Sequence, residues 1–203
     1  MVDNSSSSIH QQLVQALAGN REALGAILTR HHSYLKMLAS AQIHNRLRGK
    51  ADPSDLVQET FLEAYKQIDT FRGRTDIEFT GWLRGILAHL LAKHLRHFLG
   101  TQQRDVRLEQ SLASELDQAS GYFERGVVKN LDSPSDHLMA NETMLELANA
   151  LEALPVDYRT VILLRNIQGM PFKDVAQIME RSVDSVEKLW VRGLARLKQN
   201  LDK

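Results

Sequence analysis

The sequence predicts an all-α protein with two helical domains joined by a flexible linker. Its 203 residues include only four prolines and eleven glycines, so long stretches carry no helix breaker. Apolar residues recur at helical spacing towards both ends of the chain, and no stretch alternates as a strand would. Between these ends, residues 100–134 are polar and acidic and too long to connect helices within one compact domain. The predicted division is a domain at 9–99, a linker at 100–134 and a domain at 135–203.

Four helices are predicted in the N-terminal domain, and one more is possible at 105–118 in the linker. The first two are a short helix at 9–18 and a longer one at 21–42. Asp52-Pro53-Ser54-Asp55 starts the third, because Asp52 can cap a helix and proline suits its first turn. The fourth begins at Trp82 and ends near Gly100. The apolar stripe predicted for the third helix is Leu56, Val57, Phe61, Leu62, Tyr65 and Ile68.

The C-terminal domain is predicted to end in a helix-turn-helix. Four helical patterns follow Ser135, and the last two meet across Glu180-Arg181-Ser182. Ala176 is small enough for the crossing of the two helices, Ser182 can cap the second, and Val186 falls on its buried side. The backbone at Glu180 must be left-handed, a conformation that glycine adopts most easily. Side chains able to reach phosphates and base edges would then be Ser182, Asp184, Ser185, Glu187, Lys188, Arg192 and Arg196.

Composition favours a cytoplasmic chain that is not an enzyme. There is no cysteine, and no apolar run approaches a membrane span. No cofactor or metal site is predicted, because His94 and His97 lack a third ligand and no glycine-rich phosphate loop is present. The net charge is zero, yet residues 81–107 hold five Lys/Arg against one acid and residues 108–157 hold ten acids against two Lys/Arg. Such blocks suggest different partners for different faces.

Two stretches together resemble one protein family. Region two of the extracytoplasmic-function (ECF) sigma factors of bacterial RNA polymerase resembles residues 52–96, DPSDLVQETFLEAYKQIDTFRGRTDIEFTGWLRGILAHLLAKHLR. Their region four resembles residues 151–198, LEALPVDYRTVILLRNIQGMPFKDVAQIMERSVDSVEKLWVRGLARLK. The resemblance implies a factor that directs RNA polymerase core to specific promoters and melts them. Its partners would be the core enzyme and promoter DNA, with an anti-sigma factor as a further candidate, and the free chain would be a monomer.

The resemblance also implies which residues meet each partner. The stretch that docks on the polymerase clamp helices in this family contains Asp55, Gln58, Glu59 and Phe61, and Glu63 extends its acidic and amide face. The loop and helix start from Phe71 to Gly81 would trap an unstacked base of the minus-ten element. Phosphates and base edges there would meet Arg72, Arg74, Thr75, Asp76 and Thr80, with Phe79 or Trp82 as apolar support. The following helix would lay a basic face along the melted strand, formed by Arg84, His89, Lys93 and Arg96.

Some residues depart from the family pattern. Gly85, His89 and Lys93 stand where relatives often carry Arg, Asn and Asp, and Leu189 and Val191 replace Arg and His on the recognition helix. Weak affinity for isolated DNA is therefore expected. An insert at 43–51 could touch DNA or only make a loop soluble. Two alternatives stay open: a helix-turn-helix regulator that binds duplex DNA without polymerase, and an interaction protein whose helices serve only protein partners.

Overall fold

The computed structural model describes residues 4–46, 52–99, 106–128 and 137–202, with side chains for 10–43, 52–97, 106–121 and 142–202. Within these ranges the chain forms ten α-helices and no strand. Two compact units are present, Met1–Asp117 and Gln118–Lys203. The 43–51 insert and parts of the predicted linker lie largely outside the described residues. An all-α fold in two bodies is therefore confirmed.

The first unit contains five helices and the beginning of a sixth. They are α1 (Asn4–Leu17), α2 (Arg21–Arg30), α3 (His32–Arg46), α4 (Pro53–Gln67), α5 (Asp76–Leu99) and α6 (Val106–Val128). Helix α1 packs on α2, and α4 packs on both α3 and α5. Their shared core contains the fully buried Tyr34, Leu38, Leu56, Phe79 and Leu87.

Local signals explain where these helices begin. Asp52 caps α4 by accepting a 2.7 Å bond from the Ser54 amide, as predicted. Asn20 caps α2 in the same way, with bonds of 3.0 and 3.1 Å from the amides of Glu22 and Ala23. The single helix predicted at 21–42 is wrong, because a turn at His31 ends α2 before α3 starts. The start predicted at Trp82 is also wrong, because α5 begins six residues earlier, at Asp76.

The segment predicted as a linker contains a long helix. Helix α6 runs for 23 residues, well beyond the 105–118 helix that the sequence suggested, and the division between the two units falls inside it. Leu112 and Leu116, which belong to the first unit, are fully buried. Residues 106–117 are therefore an ordered part of that unit.

The second unit continues with four helices after α6. They are α7 (His137–Glu152), α8 (Val156–Ile162), α9 (Phe172–Ile178) and α10 (Val183–Leu201). Helix α10 packs on α7, α8 and α9. Gly193 allows its close approach to α8, because a Cβ there would lie 3.3 Å from both Ile162 Cδ1 and Tyr158 Cβ. Trp190 of the same helix donates from Nε1 to Asn166 Oδ1 at 2.8 Å, and its ring meets the Phe172 ring edge-on.

Candidate functional site

Helix α4 presents a partly apolar outer face. Its buried side consists of Leu56, Val57, Thr60 and Ala64. Leu62 lies on the opposite side with 60% of its surface exposed, and Tyr65 is 40% exposed. The prediction that both belong to the core stripe is therefore wrong. They leave an apolar patch beside the exposed Asp55 and Gln58, two of the residues predicted to bind core polymerase.

The other three residues predicted to bind core polymerase lie at the edges of this face. Glu59 is half-buried and lies within hydrogen-bond distance of His94, whose Nε2 is 3.1 Å from Glu59 Oε1. Glu63 accepts bonds from Gln67 at 2.6 Å and Lys66 at 3.3 Å, and these bonds hold the pKa of Glu63 below its usual value. Phe61 is half-buried, with its ring 6.2 Å from that of His32. The outer face of α4 thus has Gln58 and Leu62 near its centre and paired acids at its margin.

An aromatic cluster supports the loop before α5. The rings of Phe71, Phe79 and Trp82 lie 5.3 to 5.6 Å apart, and His31 stacks edge-on against Phe79 at 5.5 Å. Phe79 is fully buried, whereas Trp82 is only half-buried. Of the two side chains predicted as apolar support for a captured base, only Trp82 is accessible.

A capping box fixes the start of α5. The Glu78 carboxylate accepts bonds from the Arg74 and Thr75 amides at 2.8 and 2.9 Å and from the Thr75 hydroxyl at 2.9 Å. The Glu78 amide in turn donates to Thr75 Oγ1 at 3.2 Å, which completes a reciprocal cap. These bonds, led by that from the Arg74 amide, lower the pKa of Glu78. The signal was present in the sequence as Thr75-x-x-Glu78, and it explains why α5 begins at Asp76.

The polar residues predicted to read a base differ in their access. Arg72 and Arg74 are exposed, and Arg72 Nη1 also donates to the Asp69 carbonyl at 2.7 Å. Thr75 is exposed, although its hydroxyl is engaged by Glu78. Asp76 is half-buried, with Oδ1 4.0 Å from His31 Nε2. Thr80 is 1% exposed, which leaves its hydroxyl no route to a base in this conformation.

His31 forms the floor beneath this loop. Its Nδ1 donates to the Ile27 carbonyl at 2.8 Å, and its Nε2 lies 2.9 Å from the Thr80 hydroxyl. Burial lowers the pKa of His31 against the opposing effects of the Ile27 bond and the Asp76 carboxylate. The ring is therefore a neutral connection between α2 and α5, a role that the sequence did not reveal.

The basic face predicted on α5 is largely paired with α6. Arg84 Nε donates to Asp117 at 2.7 Å, and Arg96 Nη1 donates to Glu109 at 3.1 Å. The second oxygen of Glu109 lies 3.4 Å from His89 Nδ1. Lys93 is exposed and forms no ion pair within the described part of the chain. Three of the four side chains predicted to lie along DNA are thus occupied by carboxylates.

The second unit contains the predicted helix-turn-helix. Ala176 and Val186 are buried between α9 and α10, and Ser182 caps α10 by accepting from the Ser185 amide at 3.3 Å. Glu180 has a φ of +53°, which confirms the left-handed turn. A side chain there costs about 1 kcal/mol relative to glycine. The turn is also held by Arg181, which donates to Asp157 of α8 at 2.6 Å.

The exposed face of α10 carries the residues predicted to read DNA. Asp184, Glu187, Arg192 and Arg196 are exposed. Lys188 Nζ pairs with Asp184 at 2.7 Å on the same surface, and Ser185 is half-buried. Arg192 and Arg196 form no ion pair among the described residues, so their charges are available to an external phosphate. Val191 of the same helix is 58% exposed.

Comparison with known families accounts for both units. Residues 28–97 match the model of Sigma-70 region 2, and residues 144–197 match that of Sigma-70, region 4. The chain belongs to the sigma-70 family. The region 2 match falls within the first unit of this sigma factor, and the region 4 match falls within the second.

The relatives of this sigma factor belong to the ECF group. It is 28% identical over 177 residues to the ECF RNA polymerase sigma-E factor of Haemophilus influenzae, a match that covers 87% of this chain and 86% of the relative. The ECF RNA polymerase sigma-E factor of Escherichia coli K12 is 27% identical over 170 residues, 83% of this chain and 81% of the relative. These matches extend across both regions and the segment between them.

Two solved structures that are similar to this sigma factor are each a complex of two proteins. One is a RsbN-BldN complex, with 22% identity, a TM-score of 0.31 and coverage of 92% of this chain and 97% of the other. Another is CnrH with the cytosolic domain of CnrY, with 24% identity, a TM-score of 0.34 and coverage of 95% and 96%. Among the described helices of the sigma factor, none has the length and hydropathy of a membrane span.

Proposed function

We propose that separate surfaces of this sigma factor bind core polymerase, the minus-ten element and the minus-thirty-five element. Together these surfaces direct RNA polymerase core to specific promoters for transcription initiation. The observation that carries the function is that region two and region four occur in one chain in that order. A regulator that binds duplex DNA without polymerase would need only a helix-turn-helix, so the region two match leaves that alternative without support. The chain acts in the cytoplasm by binding its partners, and it catalyses no reaction.

The outer face of α4 binds the polymerase core. Leu62 supplies the apolar centre that protein interfaces require, and Gln58 and Asp55 supply polar contacts beside it. Glu59 and Glu63 at the margin are positioned to meet basic side chains of the enzyme, although each already has a partner on this chain. Phe61, which packs near His32, supports the face more than it contacts the enzyme.

The loop at 71–76 and the start of α5 capture the minus-ten element. Its accessible groups are the cations of Arg72 and Arg74 for phosphates, with Thr75 and Asp76 for a base edge and Trp82 beneath them. Extruding a base costs a few kcal/mol, which stacking and edge contacts repay. Thr80 acts indirectly, by holding Asp76 and His31 in register. Promoter melting is then the preferential binding of the opened strand.

Region four reads the minus-thirty-five element through α10. Its N-terminal turn, at Ser182, Asp184, Ser185 and Glu187, enters the major groove, and Lys188 adjoins it. Arg192 and Arg196 bind backbone phosphates. Few free cations on each unit mean weak binding to isolated DNA, and attachment of both units to polymerase raises their effective concentration.

Reconstitution with core polymerase tests this division. The chain should co-elute with core enzyme in size-exclusion chromatography and support run-off transcription from promoters selected out of a random library. Gln58→Ala with Glu59→Ala should weaken core binding, whereas Arg192→Ala should weaken promoter use and leave core binding intact. Absence of co-elution would contradict the function itself. Equal loss of both activities in each variant would contradict the division of surfaces.

A further inference from the structure

Helix α6 places two carboxylates on the basic face of α5. Glu109 contacts two side chains of α5, with one oxygen 3.1 Å from Arg96 Nη1 and the other 3.4 Å from His89 Nδ1. Asp117 accepts from Arg84 Nε at 2.7 Å. Arg96 and Glu109 are only 14% and 16% exposed, so this pair is partly shielded from solvent. The contact is therefore a built interface rather than a chance encounter of surface charges.

Apolar packing holds the same stretch of α6 in place. Leu112 and Leu116, one turn apart and between the two acids, are fully buried. The carboxylates of Glu109 and Asp117 are eight residues apart, about 12 Å along the helix axis. The two acids and the two buried leucines therefore lie on the same stretch of α6.

A second contact keeps the Arg84 guanidinium in a position where it can bind an anion. Its Nη1 donates to the hydroxyl of Tyr34 at 2.9 Å, and Tyr34 is itself fully buried in α3. Burial opposes the charge on Arg84, but the Tyr34 hydroxyl and the Asp117 carboxylate outweigh it and raise the pKa of Arg84. If Asp117 left, Tyr34 would keep the guanidinium in position, with Nε open to another oxygen anion.

We propose that residues 106–117 of α6 are an internal competitor of promoter DNA, which must leave the basic face of α5 before the melted strand can bind there. The inference rests on the proposed role of α5 in minus-ten binding. A carboxylate and a phosphate present the same kind of oxygen acceptors to a guanidinium, so Glu109 and Asp117 occupy the groups that a phosphodiester would use. The acidic segment thereby lowers the affinity of the sigma factor for DNA until polymerase and promoter together displace it.

Assembly of the complete complex gives the first test. The measured quantity is the concentration of chain that half-saturates a complex of core polymerase and a fork DNA, single-stranded across the minus-ten element of a selected promoter. Glu109→Gln with Asp117→Asn removes the two carboxylates and keeps their shape. An exposed or partly exposed ion pair contributes about 0.2–1 kcal/mol, so two pairs contribute about 0.4–2 kcal/mol. This variant should therefore assemble at a concentration about twofold to thirtyfold lower than the unmodified chain.

A matched control separates this effect from net charge. Glu22→Gln with Glu146→Gln makes the same change in net charge at two exposed positions on α2 and α7. Assembly of this control should stay within about twofold of the unmodified chain, since distant surface charges are largely screened. An equal gain in both double variants, or no gain in Glu109→Gln with Asp117→Asn, overturns the inference. If the unmodified chain forms no complex with any fork, the proposed function fails as well.

Hydrogen exchange gives the second test, independent of affinity. Amides of residues 106–117 should be protected in the free chain and exchange faster in the complex with polymerase and fork DNA. Displacement at either step, by polymerase or by DNA, gives that result. Retention of the free-chain protection in a complex saturated with fork DNA would overturn the inference while leaving the proposed function intact.

Discussion

Leu62 on α4 gives the sharpest test of the polymerase-binding face. Full burial of a leucine stabilises by about 1.5–3 kcal/mol. Leu62 is 60% exposed in this chain, so a partner that covers it removes about three fifths of its surface from water. Leu62→Ala should therefore cost about 1–2 kcal/mol of binding, a Kd for core polymerase about fivefold to thirtyfold higher. The stability of the chain should hardly change, because little of this side chain packs inside the fold.

Titration of a fluorescently labelled chain with core polymerase, read by anisotropy, measures this effect. Leu17→Ala is the matched control, since Leu17 is 41% exposed on a different helix, α1. Leu56→Ala, on the buried side of α4, should instead lose about 2–5 kcal/mol of unfolding free energy. The reasoning is refuted if Leu62→Ala remains folded and binds core polymerase within twofold of the unmodified chain, or if Leu17→Ala loses as much affinity.

Three further predictions concern the turn, the phosphate contacts and the buried histidine. Glu180→Gly should raise the unfolding free energy by about 0.5–1 kcal/mol in thermal melts, because φ is +53° there; an unchanged or lower melting temperature would argue against strain. Arg192→Ala and Arg196→Ala should each reduce the slope of log affinity against log salt by about 1 for promoter DNA, and an unchanged slope would exclude phosphate contacts. Because burial lowers the pKa of His31, the folded chain binds fewer protons at this ring than the unfolded chain does below about pH 6.5. The free energy of unfolding should therefore be highest above that pH and should fall as the pH drops. Urea unfolding at about pH 7.5 and 5.5 should show a smaller loss for His31→Gln than for the unmodified chain.

Features encoded by a few neighbouring residues could be predicted from the sequence. The caps at Asp52 and Ser182 and the left-handed turn at Glu180 depend on local chemistry, and all three are present. The start of α5 was missed although Thr75-x-x-Glu78 encodes it, because the apolar stripe becomes regular only at Trp82. The turn at His31 was missed for another reason. Apolar spacing continues through it, and the buried contact with Thr80 depends on residues 49 positions apart.

The choice of face was harder to predict than the presence of a helix. On α4, apolar residues surround more of the helix than one core can cover, so periodicity alone assigned Leu62 and Tyr65 to the buried side. The packing of α3 and α5 on α4, which buries Leu56 and Val57, determines which face of α4 is buried. In the predicted linker, acidic composition concealed the buried Leu112 and Leu116. An amphipathic helix can be polar enough overall to read as a linker when its apolar residues are few.

Ion pairing explains how a chain of zero net charge can be suited to DNA. Arg84, Arg96 and Lys188 are each paired with a carboxylate on this chain. A cation on the protein adds to DNA affinity when it neutralises a phosphate and releases a counterion. An arginine or lysine that must first leave a carboxylate on this chain therefore adds less to the affinity than a free one. The positions of these acids support the prediction that the chain binds isolated DNA weakly. The arrangement suits a factor that binds promoter DNA only together with polymerase. If polymerase and promoter displace the acids, they make new contacts and expose Arg84 and Arg96 in the same step.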